Sequence, residues 1–149
     1  MGHIHASIEL INAEDLGLVR RSQMDQDEVR RVRVLAMVDT GSLYMAINEN
    51  IQQILQLPVV GKEKATLANG QIGLYDKVFP LEIRFENRVA HCGAVVLPED
   101  AEPLLGAIPL EQMDVLIDSQ RQELIVNPAH PDYAVTSLRT IVRTQPVER

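Results

Sequence analysis

The apolar run Arg33-Val34-Leu35-Ala36-Met37-Val38 passes without a break into Asp39-Thr40-Gly41-Ser42-Leu43-Tyr44. Val29 to Val38 is β-branched and apolar enough for a strand whose end is buried. Leu43 to Ile47 resumes the apolar character on the far side, so the intervening loop is held against the core. A carboxylate in such a place is costly unless it is hydrogen-bonded or put to use. Any fold this chain adopts must therefore give Asp39 polar partners or open it to a cleft. On the three residues Asp-Thr-Gly alone two readings stand: a surface turn, because Asp accepts backbone hydrogen bonds and Gly relieves steric demand, or a loop presenting a reactive group.

The flanking pattern is that of strands. His3, His5, Ser7 and Glu9 alternate with Ile4, Ala6, Ile8 and Leu10, the period of a half-buried strand. Asn12 to Asp15 and Ser22 to Glu28 read as loops around a short strand at Leu16–Arg20. Ile47, Ile51, Ile54 and Leu55 recur at helical spacing, with Asn48 placed to cap the helix and Pro58 to stop it. Glu63 to Phe79 reads as two strands around Asn69-Gly70, a dipeptide favoured in tight hairpins because both residues tolerate positive φ. Strands at Leu81–Glu86 and Val89–Leu97 follow, separated by Asn87-Arg88. Leu104-Leu105-Gly106 precedes a short helix around Pro109–Gln112. A last hairpin, Val115–Ile117 with Glu123–Val126, turns at Asp118 to Arg121. The fold class is all-β, mainly β with two short helices. Residues 1–130 form the domain, and 131–149 a C-terminal tail that is a candidate for docking on a partner subunit.

Bulk properties narrow the function. A chain of 149 residues fits one domain. Aromatic residues amount to 3%, so the core must be aliphatic. A net charge of −7 repels polyanions, and no nucleic-acid partner is expected. Cys92 is the only cysteine, which rules out an internal disulfide, and within VAHCGAVV it reads as a small core residue. The start MGHIHASIEL lacks a basic segment followed by a long apolar one, and no window approaches a membrane span. The expectation is a soluble, cytoplasmic protein with no membrane partner. His3 and His5 share one strand face and invite a metal reading with His91 or Cys92, but alternation already explains them as solvated; no metal is expected. Arg20, Arg21, Arg30, Arg31 and Arg33 lie among Glu9, Asp25, Asp27 and Glu28, a charge-paired surface.

Taken in order, apolar-apolar-Asp-Thr-Gly-Ser, a hairpin with Asn-Gly at its tip, and apolar-apolar-Gly before a helix resemble the retropepsin-like (clan AA) aspartic proteases. ELIN, VDTGS, LANGQ, FENR, VVLP, LLGAIPLEQMDVLID and LIVNPAHP together resemble a small single-domain group of these from bacteria and archaea. The resemblance implies an acid-protease closed β-barrel with one lobe per chain. It implies catalysis by Asp39, support from Thr40, Gly41 and Ser42, a flap at Ala68, Asn69, Gly70, Gln71 and Ile72, and packing of Leu104, Leu105 and Gly106 beneath the loop. It implies an aspartic-type endopeptidase that needs no cofactor and acts on a peptide or protein substrate. Aspartic proteolysis needs two carboxylates around one water. Asp118-Ser119-Gln120 lacks the glycine, so the second Asp39 is expected from a second copy across a two-fold axis, a homodimer. The alternative is a non-catalytic dimeric β module that binds a peptide or protein partner in the same cleft.

Overall fold

The computed structural model describes residues 3–142. Its elements are β1 (His5–Asn12), α1 (Ala13–Arg20), a 3₁₀ turn (Gln26–Glu28), β2 (Arg31–Val38), β3 (Met45–Asn48), α2 (Glu49–Leu55), β4 (Val59–Thr66), β5 (Ile72–Phe85), β6 (Arg88–Leu97), β7 (Leu104–Leu105), α3 (Ala107–Met113), β8 (Val115–Asp118) and β9 (Glu123–Val126). The main sheet runs β1-β2-β7-β3-β6-β5-β4, and β1 also pairs with β5. The ladder therefore returns to its starting strand, with β4 outside the circuit as a free edge. β8 and β9 form a separate hairpin. No helix of the described residues is long and apolar enough to cross a membrane.

Inside the circuit the core is aliphatic, as the low aromatic content requires. Ile8, Leu10, Ile47, Leu55, Leu81, Ile83, Leu105 and Met113 are fully buried, and Phe85 is the aromatic member. Alternation on β1 holds: His5 and Ser7 face out, Ala6, Ile8 and Leu10 face in.

Two sequence expectations give way. The strand expected at Leu16–Arg20 is helical, which makes three short helices rather than two. Asn12, expected in a loop, ends β1 and caps α1 by accepting the Asp15 N–H at 3.1 Å, while its Nδ2 donates to the Leu55 carbonyl at 2.8 Å. Leu16 then packs with Ile11 and Val29 in a second cluster. Asp15, fully buried, accepts two bonds from the Arg30 guanidinium, at 2.8 and 2.9 Å, and one from its N–H. The Arg30 guanidinium holds the Asp15 carboxyl below the usual carboxylate range against the opposing effect of burial. Nor is Leu81–Glu86 a separate strand. β5 runs on through Phe79-Pro80, absorbing the proline at an irregularity between Val78 and Leu81.

Beyond β9 the backbone is tied back by polar groups. The Asp114 carboxylate accepts from Asn127 Nδ2 at 3.0 Å, the Val135 N–H at 3.0 Å and His130 Nδ1 at 2.7 Å. The buried Arg88 donates to the His130 carbonyl, and Asn87 to that of Pro131. Residues 143–149 of the expected tail lie outside the described residues. Donation by Asn127, Val135 and His130 lowers the Asp114 carboxyl from 3.8 to about 2. A depressed carboxylate stabilises the fold above its unfolded value, and that contribution is lost as pH falls through about 2. Asp114→Asn, which suits the left-handed backbone there, is expected to lower Tm at pH 5 to 7 and to match the wild type near pH 2; a constant gap across the range would disprove the assignment.

Candidate active site

Asp39 is the first residue past β2 and is half-buried. Its N–H donates to the Leu105 carbonyl at 3.0 Å, so β7 holds the base of the loop. Its carboxylate is gripped from within the loop: Oδ1 accepts the Gly41 N–H at 3.0 Å and Oδ2 accepts the Ser42 hydroxyl at 2.7 Å. Thr40 is exposed at the tip.

Leu104, Leu105 and Gly106 lie beneath. Leu104 pairs with Met37 and Ala46, Leu105 pairs with Val38 and is fully buried, and the N–H groups of Ala107 and Ile108 donate to the carbonyls of Ser42 and Leu43 at 2.8 and 3.0 Å. Gly106 is needed for space: a Cβ there would lie 2.2 Å from the Tyr44 carbonyl oxygen and 2.7 Å from that of Ser42. The Asp39 loop thus sits on the start of α3 backbone to backbone.

The β4–β5 hairpin is tipped by Ala68, Asn69, Gly70, Gln71 and Ile72, all exposed. Its turn differs from the expected one. Leu67 N–H donates to the Gln71 carbonyl and Gly70 N–H to that of Leu67, so three residues form the loop. Gly70 has φ +83°, whereas Asn69 uses its side chain, accepting the Gln71 N–H at 2.9 Å. The turn works by a glycine and an Asx cap, not by two positive φ angles.

Between the hairpin and the loop lies a cavity of about 240 Å³, lined by Ser42, Leu43, Tyr44, Ala65, Leu67 and Leu104 among others. The hairpin residues that line it are Ala65 to Leu67. The only sequence signal for them is strand parity, which places Ala65 and Leu67 on one face. The β1–β2 register, in which Val38 donates to the Ile4 carbonyl, carries His3 to the level of Asp39. His5 pairs with Glu102 at 2.5 Å and His91 with Glu82 at 2.7 Å, so these histidines serve different carboxylates. No group of three or more His, Cys, Asp or Glu among the described residues could hold a metal ion. Cys92, expected in the core, is partly buried against it, and burial pushes its thiol up to about 12. Of the arginine patch, Arg30 pairs with Asp15, and Arg31 lies 3.5 Å from Glu9.

No family model matches the chain, and no curated protein matches it in sequence. Among solved structures it is similar to the retroviral protease-like domain of Ddi1 from Leishmania major, at 14% identity, over 86% of this chain and 90% of that one, with a TM-score of 0.54. At that identity the likeness concerns the fold, and the fold of this chain is retropepsin-like.

Proposed function

We propose that the chain acts as a homodimeric aspartic endopeptidase, of the kind its motifs resemble in small bacterial and archaeal proteins. The observation that carries this reading is the seat of Asp39: both carboxylate oxygens are held, by Gly41 and by Ser42, beside an apolar cavity under a hairpin. Two such carboxylates, one per subunit, share one proton and one water. The ionised one takes a proton from the water as its oxygen attacks the peptide carbonyl, and the protonated one donates to the carbonyl oxygen. Collapse of the tetrahedral intermediate breaks the C–N bond, and a proton passes to the leaving amine. Thr40, at the exposed tip, meets its counterpart across the axis. An extended peptide lies beneath the flaps, main chain against main chain, with apolar side chains in the cavity. The reading places the protein in the cytoplasm, with no cofactor, membrane or nucleic-acid partner.

A second reading is a dimeric β module that binds a peptide or protein partner in the same cleft without cutting it. The test is cleavage of an unstructured peptide mixture, read by mass spectrometry, by wild type and Asp39→Asn proteins whose masses are checked by sedimentation. New peptide ends with the wild type alone support the enzyme. Retention of peptides by both proteins with no cleavage sinks it in favour of the binding module.

A further inference from the structure

The proposed chemistry leaves one polar chain of residues unused, and it spans the gap between flap and catalytic loop. Tyr44, two residues past Ser42, lines both the cavity under the flap and a neighbouring one of about 220 Å³ that Lys77, Cys92, Ile108 and Gln112 also line. Lys77, on β5, places Nζ 4.6 Å from the centroid of the Tyr44 ring. The same ammonium lies 3.5 Å from Oε1 of Glu63 on β4. That Glu63 oxygen is buried and takes no hydrogen bond.

Strand parity explains how Glu63 and Lys77 meet. Glu63 pairs with Tyr75, Ala65 with Gly73, and Gly61 with Lys77, so all six belong to one face of the hairpin. On the other face Lys62 and Asp76 pair with each other at 2.5 Å. Lys77 is thus the cation that serves the buried Glu63 oxygen, and its other neighbour is the electron-rich face of Tyr44.

We propose that Lys77 is a positioning residue that straps the base of the flap to the catalytic loop and so sets the wall of the cavity beside Asp39. Without it, the Glu63 oxygen loses the cation that faces it and the Tyr44 ring loses its cationic neighbour, so no charge ties β4 and β5 to Tyr44 and the hairpin is freer to lift from it. The substrate consequence rests on the protease reading; the strap itself does not.

The experiment uses the full chain in two measurements. In steady-state cleavage of a peptide the wild type cuts, Lys77→Met is expected to raise KM about tenfold while kcat changes far less, and Lys77→Arg to stay within about twofold of wild type. Tyr44→Leu should reproduce the KM rise, and the double variant should be no worse than either single one. In amide hydrogen exchange, residues 66–72 should exchange faster in Lys77→Met and in Tyr44→Leu but not in Lys77→Arg. This second readout needs no activity, so a protein that cleaves nothing still decides the strap, and Tyr44→Leu keeps the test open if Lys77→Met does not fold. Wild-type exchange in both Lys77→Met and Tyr44→Leu, or a Lys77→Arg protein as impaired as Lys77→Met, overturns the proposal.

Discussion

Gly106→Ala is expected to destabilise the protein by about 3 kcal/mol and to disorder the Asp39 loop before the rest of the fold. The cause is space alone, since Gly106 has φ −90°, open to any residue. A methyl group placed there would sit 2.2 Å from the Tyr44 oxygen, and the atoms it meets are backbone, which cannot rotate away. Relief requires separating the loop from α3, which breaks the hydrogen bonds from Ala107 to Ser42 and from Ile108 to Leu43. Those bonds also position the loop that holds Asp39, so cleavage should fall along with stability. Urea unfolding measures the first effect, and Gly61→Ala is the control: a methyl group at that position would meet nothing within 4 Å, so its cost should stay within about 0.5 kcal/mol. Equal midpoints for the two variants would mean that the close seat of the loop on α3 is not what holds it.

β1, β2, the β4–β5 and β8–β9 hairpins and the Asp39 loop were legible because each is written in local chemistry, whereas the short strands β3 and β7, which take their form from their neighbours in the sheet, were not. Alternation on β1 states which face is buried, and the apolar-apolar-Gly step before α3 lies under the loop, whereas the apolar run of β2 marks a strand without its buried face, since Leu35 within it is exposed and Ala36 is buried. The misreadings arise where a distant partner decides. Leu16 to Arg20 contains alternating apolar residues, but Asn12 caps a helix whose Asp15 is held by Arg30, fifteen residues on. Pro80 reads as a break, yet β5 continues because β6 pairs on both sides of the irregularity. At the tip of the β4–β5 hairpin the Asn-Gly dipeptide marks the turn correctly but works by a different device, with Asn69 acting through its side chain. Tyr44 and Lys77, far apart in the chain, carry no local signal of their contact.

On the proposed mechanism, Asp39→Asn is expected to fold, to form dimers and to lose cleavage by about 10⁴-fold, and it should also silence a wild-type partner. The change keeps the shape of the side chain and an oxygen to accept the Gly41 N–H, so the loop has little reason to move. What it removes, on the proposed mechanism, is the charge that takes a proton from water. If one site is shared by two chains, a refolded mixture distinguishes it from a site complete within one chain. Equal parts of the two proteins give roughly one quarter wild-type dimers and one half mixed dimers. Activity per wild-type chain should then fall to about half, and with a ninefold excess of Asp39→Asn to about a tenth, because each wild-type chain finds an intact partner only that often. Unchanged activity per wild-type chain at every ratio would assign the whole reaction to one subunit. That result would require a second catalytic group within the chain, and the hydrogen bonds around Asp39 offer Ser42 and a backbone N–H but no second carboxylate among the described residues. The mixing curve therefore tests the two-fold site directly, independent of which peptide is cut.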